Sequence, residues 1–151
     1  MKRILILLAL AALFLSATVC LADSPQMGTW KLNEAKSKFQ PGAPKNHTVV
    51  YEASGKDVKV TVDGVDGQDN PTHNEWTGKF NGKSYAVTGD PTSDKRSYRK
   101  INSRTLTFTA TKAGKVTLTG RIVVSVDGKT RTVTTTAAGQ KTSNKAVFDK
   151  Q

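Results

Sequence analysis

The chain is poor in the residue types that most often carry chemistry. Its 151 residues include one cysteine, Cys20, and two histidines, His47 and His73. A single cysteine excludes an intrachain disulfide framework, so the core has to hold the fold together. Two histidines fall short of the three or four ligands of a zinc site. Both lie among polar residues at the starts of strand-like segments, and we expect them to be exposed.

The N-terminus is typical of a secretory signal. Lys2 and Arg3 precede an apolar run over residues 4–19, and small residues stand one and three positions before a cut after Ala22. The run is short for a membrane span of about 20 residues. We predict that residues 1–22 are a cleaved signal peptide. Its removal takes away Cys20 and lowers the net charge from +11 to +9.

The remaining residues, 23–151, have the length of one domain, and export would place it in the periplasm or outside the cell. Nothing in this domain marks a catalytic centre. No serine, histidine and aspartate stand in a recognisable nucleophile context, and no cysteine remains to act as a nucleophile. Asp63, Asp66 and Asp69 recur at every third residue, which is not the alternate spacing of a calcium loop. We predict no enzymatic activity, no cofactor and no metal site.

The domain has the sequence pattern of antiparallel β-strands. Val58, Val60 and Val62 share one face of a segment whose other face carries Lys59 and Thr61. Turn-forming pairs that contain glycine separate such segments; they are Ser54-Gly55, Asp63-Gly64, Asn81-Gly82, Ala113-Gly114, Asp127-Gly128 and Ala138-Gly139. Together these signals predict ten strands, at about 28–32, 47–53, 57–62, 73–80, 83–88, 95–101, 104–112, 115–126, 130–137 and 145–150.

One segment is compatible with a helix, residues 33–39, where Asn33 would cap the N-terminus. A meander of this length closes into an up-and-down antiparallel β-barrel or folds into a β-sandwich, because open sheet edges invite aggregation. The all-β barrel is the fold that we predict, with the sandwich as the alternative.

The opening Gly28-Thr29-Trp30-Lys31-Leu32 resembles the Gly-x-Trp start of the calycins, the lipocalins and fatty-acid-binding proteins. The resemblance implies a small exported, bacterial-style, lipocalin-like barrel in which Trp30 closes the floor. In lipocalins a late-strand arginine packs across this tryptophan, and Arg131 is the best-placed candidate. The last strand, 145–150, lacks the Arg-x-Tyr pair with which fatty-acid-binding proteins hold a carboxylate.

Aromatic residues supply the candidate ligand site. Inward-facing rings of a barrel either fill its interior or line a cavity, and periodicity does not decide between the two. Small residues predicted to face inward would leave room for a ligand; they are Gly78, Ala86, Ala110 and Gly120. Arg99 would be a polar anchor if it points inward. The candidate lining residues are Tyr51, Trp76, Phe80, Tyr85, Tyr98 and Phe108.

We therefore expect a monomeric, exported, non-enzymatic protein that binds a small apolar or amphipathic ligand. The alternative is a basic envelope-associated interaction or stress protein with a filled barrel and no small ligand. Positive charge is spread along the chain, which favours weak association with anionic surfaces. Its densest patch includes Lys95, Arg96, Arg99 and Lys100, which we interpret as solvated surface, so no nucleic-acid partner is expected.

Overall fold

A computed structural model describes residues 23–151, which form a closed barrel of ten antiparallel strands. The predicted signal peptide, residues 1–22, lies outside the described residues. Each strand pairs with the next along the chain, and β1 also pairs with β10. This confirms the barrel over the sandwich. The strands are β1 (Gly28–Leu32), β2 (Lys45–Ser54), β3 (Asp57–Val65), β4 (Pro71–Gly78), β5 (Asn81–Thr88), β6 (Lys95–Asn102), β7 (Thr105–Lys112), β8 (Lys115–Val124), β9 (Thr130–Ala137) and β10 (Asn144–Lys150).

The alternating pattern sets which side chains face the interior. Val58, Val60 and Val62 on β3 are buried, whereas Lys59 and Thr61 between them are partly exposed. Successive side chains of a strand point to opposite faces, so a period of two in the sequence becomes an apolar inside and a polar outside. Buried apolar residues of every strand except β9 form one core cluster within the barrel, and the partly buried Val133 of β9 packs against it.

The N-terminal segment closes one end of the barrel, here called the closed end. Trp30 is fully buried there, and its indole N–H donates a hydrogen bond to the carbonyl of Gln26 (3.0 Å). The side-chain amide of Gln26 in turn donates to the carbonyl of Arg104, in the β6–β7 turn (3.0 Å). Residues 24–27 therefore tie β1 to the far side of the barrel, and Trp30 lies in the floor.

The opposite end, here called the open end, carries the long connection between β1 and β2. Asn33 begins a single turn of 3-10 helix, Glu34–Lys36, and its side chain accepts a hydrogen bond from the amide of Lys36. The predicted cap is confirmed, but the helix ends earlier than expected. Ser37 and Lys38 instead bond to the backbone of β10. Within residues 23–151 no helix is long and apolar enough to cross a membrane.

Three local predictions are wrong. Asn81-Gly82 is not a turn between strands, because β5 already begins at Asn81. Asp63-Gly64 is not a turn, because β3 continues to Val65 and Gly64 pairs with both β2 and β4. In β8 the alternation of Val116, Leu118, Gly120 and Ile122 predicts that Val116 lies on the apolar face. Val116 is instead exposed, because the pairing register of β7 and β8 shifts between Ala110 and Thr111. A bulge adds one residue to a strand and reverses the faces beyond it.

The predicted small inward residues leave less room than expected. A β-carbon at Gly78 would collide with the ring of Tyr85, and one at Gly120 would collide with the ring of Phe108. Gly120 and Phe108 are direct cross-strand partners, so the ring covers the glycine. Ala86 faces outward because its neighbours Tyr85 and Val87 face inward. Only Ala110 is a small buried side chain as predicted.

Replacing Gly120 tests the tight fit between this residue and the ring of Phe108. We expect Gly120→Ala to lower the free energy of unfolding by about 1–3 kcal/mol, because the new methyl group displaces the Phe108 ring. Urea unfolding followed by circular dichroism measures it. The matched control, Thr119→Ala on the exposed face of the same strand, should cost less than about 1 kcal/mol. In a Phe108→Leu background, Gly120→Ala should lower the free energy of unfolding by a smaller amount. An equal loss in both backgrounds would contradict a contact between residue 120 and the Phe108 ring.

Candidate ligand cavity

A cavity of about 630 Å³ occupies part of the barrel interior. Its walls come mainly from β2 and from β6 through β10, whose inward residues reach it from both sides. Deep in the cavity the lining is mostly apolar or aromatic, as the alternation of those strands requires. The deep wall is formed by Val49, Tyr51, Tyr98, Phe108, Ile122 and Phe148.

The cavity opens at the open end of the barrel. The rim consists of the segment that follows the 3-10 turn together with the β5–β6 and β9–β10 turns. Phe39 and Pro44 from that segment line it on one side, and Thr92, Gln140 and Thr142 line it on the others. The rim is therefore built from connections, while the deep wall is built from strands. Loops that vary around a rigid barrel are a common way to form a binding entrance.

The six predicted aromatic residues meet in one aromatic cluster. Neighbouring ring centroids lie 4.7–6.4 Å apart, the closest pair being Trp76 and Tyr98. Most pairs are edge-to-face or tilted, which is the favoured arrangement of aromatic rings. The indole N–H of Trp76 also donates to the carbonyl of Arg96 (2.8 Å). The cluster consists of Tyr51, Trp76, Phe80, Tyr85, Tyr98 and Phe108.

This aromatic cluster divides the interior of the barrel into two halves. Tyr51, Tyr98 and Phe108 line the cavity. Trp76, Phe80 and Tyr85 lie behind them and fill the side next to β4 and β5, outside the cavity lining. Of the six candidate lining residues, three line the cavity and the other three fill the barrel beside it.

The arginine that the sequence suggested as a polar anchor, Arg99, does not face the interior of the barrel. Arg99 is exposed and lies outside the cavity lining, next to Gly82. Arg96 and Arg131 are buried and line the cavity. Arg96 precedes the inward-facing Tyr98 by two residues, so strand alternation puts both on the inner face. The interpretation of the basic patch as solvated surface is therefore wrong for Arg96, whereas Lys95, Arg99 and Lys100 are exposed.

Arg96 is held by polar partners on two sides. Its guanidinium donates to a carboxylate oxygen of Asp90 (3.2 Å) and, at longer range, to the side-chain oxygen of Asn74 (3.4 Å) and the hydroxyl of Tyr98 (3.5 Å). Burial alone would raise the pKa of Asp90, but hydrogen bonds from Ser93 and Thr92, together with Arg96, lower it. The charge of Arg96 is thus balanced by a carboxylate at the β5–β6 turn.

Arg131 is surrounded instead by aromatic rings. Its guanidinium carbon lies 4.7 Å from the ring centroid of Tyr51 and 5.2 Å from those of Trp30 and Phe148. The expected packing of a late-strand arginine over Trp30 is confirmed. Cation–π contacts of this kind are favourable, and more so where water is excluded. Burial raises the pKa of the Tyr51 hydroxyl, helped by the neighbouring Tyr98, so Tyr51 stays protonated at neutral pH.

The aspartates and the histidine around the β3–β4 turn form local hydrogen bonds on the outer surface. Asp66 accepts hydrogen bonds from the amides of Gln68 and Asn70, which organises the β3–β4 turn. A hydrogen bond to Asp63 raises the pKa of the exposed His73. Among residues 23–151, no group of three or more His, Cys, Asp and Glu side chains is arranged to hold a metal ion.

The chain matches no protein-family model, and no curated protein is significantly similar to it. The architecture itself, a ten-strand antiparallel up-and-down barrel, is compatible with a calycin-like fold.

Removing the carboxylate beside Arg96 tests the buried ion pair. We expect Asp90→Asn to lower the free energy of unfolding by about 2 kcal/mol, less than for a fully buried pair because Asp90 is partly exposed. The pKa of Asp90 is lowered in the folded state, so its ionised carboxylate stabilises the fold at pH values above the usual pKa range of aspartic acid. This stabilisation is lost as the pH falls through the lowered value.

Urea unfolding at pH 7 and at several lower pH values measures both effects. Asp90→Asn should lose less stability on acidification than the unmodified protein. The control is Asp69→Asn, at an exposed position that forms no ion pair with residues 23–151. Equal stability of the two variants at pH 7 would contradict a structural role for the Asp90–Arg96 pair.

Proposed function

We propose that the barrel binds a small apolar or amphipathic molecule in its interior. The observation that carries this proposal is the cavity of about 630 Å³, which falls within the range of about 300–1,000 Å³ typical of ligand sites. It is bounded by rigid strands at depth and opens at one end. A preformed space of this kind lets a ligand bury its surface without the cost of reorganising the fold.

The chemistry of the wall supports the same class of ligand. Phe108, Ile122 and Phe148 offer apolar surface at depth, which favours hydrocarbon or ring systems. A few polar groups interrupt this surface, among them Thr135 and the two buried arginines. Largely apolar walls with few polar groups are typical of sites that bind and orient small molecules. No catalytic role is proposed for any of these residues.

The cavity favours this proposal over a basic envelope-associated protein with a filled barrel. The aromatic cluster fills only one side of the interior, and the other side stays open to the rim. We further propose that the protein is a lipocalin-like binder that works after export, in the periplasm or outside the cell. The Gly-Thr-Trp start in β1 and the packing of Arg131 over Trp30 support this assignment.

Filling the cavity should abolish binding. Ala146 on β10 lines the cavity, so Ala146→Phe would place a ring in the ligand's space. The neutral apolar probe N-phenyl-1-naphthylamine, which fluoresces in apolar surroundings, should show saturable binding to the unmodified protein. We expect Ala146→Phe to weaken it at least about tenfold, since most of the probe's buried area is lost.

The matched control is Ala86→Phe, which adds the same ring on the outside of the barrel. It should bind the probe as the unmodified protein does. Circular dichroism and thermal unfolding establish that both variants are folded. The proposal fails if the folded, unmodified protein shows no saturable binding across a panel of apolar probes, or if Ala146→Phe and Ala86→Phe bind equally.

A further inference from the structure

Arg131 presents a buried positive charge to the cavity. It is only 2% exposed, and its side chain is part of the cavity lining. It lies on β9, opposite Phe148 of β10 and Val124 of β8. The guanidinium is therefore placed at depth, against the floor that Trp30 forms, and not at the rim.

The hydrogen-bond donors of this guanidinium are incompletely used. Its Nε and Nη1 are buried and have no hydrogen-bond partner among residues 23–151. Nor does any ion pair involve Arg131 in this part of the chain. The rings of Tyr51, Trp30 and Phe148 contact the guanidinium through cation–π interactions. These rings accept hydrogen bonds from its N–H groups much more weakly than an oxygen atom does.

Arg96 provides the internal comparison. It faces the same cavity, yet Asp90 neutralises it and Asn74 and Tyr98 accept from it. The interior thus holds two guanidinium groups and one carboxylate partner among the described side chains. Arginine keeps its charge at any physiological pH, so Arg131 cannot escape this imbalance by losing a proton. A buried charge without hydrogen-bond partners is costly.

We propose that the ligand carries an anionic head group, a carboxylate, which Arg131 binds at the floor of the cavity while the apolar part extends toward the rim. The planar donors of a guanidinium match the two oxygens of a carboxylate. Tyr51, whose ring packs on Arg131, also lines the cavity. This inference rests on the proposed function and narrows its ligand class.

Three ligands that share the same alkyl tail and differ in their head group test this inference in the unmodified protein. They are dodecanoate, 1-dodecanol and dodecyltrimethylammonium, each used below its micelle concentration to displace N-phenyl-1-naphthylamine. We expect dodecanoate to bind at least about tenfold more tightly than dodecanol, because only the carboxylate forms an ion pair with the guanidinium and accepts two of its hydrogen bonds. Dodecyltrimethylammonium should bind more weakly than dodecanol.

Variants then locate the effect. Arg131→Gln should lower the affinity for dodecanoate at least about tenfold, since the charged contact is removed. The affinity for dodecanol should stay within about threefold of that of the unmodified protein. Arg121→Gln is the matched control: it removes the same charge from the outer face of the neighbouring strand β8. It should keep the preference for dodecanoate, which separates a local contact from the general attraction of a basic protein.

The results separate the two proposals. If dodecanol and dodecanoate bind equally well to the unmodified protein, the head-group inference is overturned and the apolar cavity stands. If none of the three ligands binds and no apolar probe does either, both proposals fail. An unchanged dodecanoate preference in folded Arg131→Gln also overturns the inference. Should that variant not fold, Arg131→Lys keeps the charge, and the head-group series in the unmodified protein still decides.

Discussion

Closure of the barrel through β1 is the constraint on which the rest of the structure depends. This strand of five residues pairs with β2 on one side and with β10 on the other, so it removes both sheet edges at once. Its Trp30 is buried beneath the N-terminal segment and packs against Arg131. The same strand therefore closes the ladder and supplies the floor. Closure gives the interior fixed walls, which a cavity needs in order to keep its shape.

The interior combines a filled half and an open half, and the difference arises from cross-strand neighbours. On one side, rings lie over glycines and stack on each other, as Tyr85 does over Gly78. On the other side, shorter residues such as Val133 and Ala146 face each other across β9 and β10. Strand alternation brings all of them inside, and side-chain volume then decides where space remains.

Much of this fold follows from the sequence, because period-two alternation and glycine turns are local signals. All ten strands were predicted from them, and the cap at Asn33 was predicted from the preference of asparagine for that position. The pairing register of the strands and the space left beside each inward side chain were harder to predict, because both depend on the partner strand. The bulge that exposes Val116 and the ring that covers Gly120 are set by pairing with the neighbouring strand β7, which the alternation within β8 does not reveal. The buried Arg96 could have been found from its spacing to Tyr98, whereas choosing Arg99 placed the anchor on the wrong face.

The pairing of β1 with β10 also has a consequence for how the chain folds. Trp30 pairs with Lys150, so the contacts that complete the barrel join residues at opposite ends of the domain. The other pairings form between consecutive strands and can grow as a meander. Contacts of long sequence separation are slow to form because loop closure has to come first. The meander has two unpaired edges until β10 reaches β1, and this interval is when the protein is most open to association with other chains.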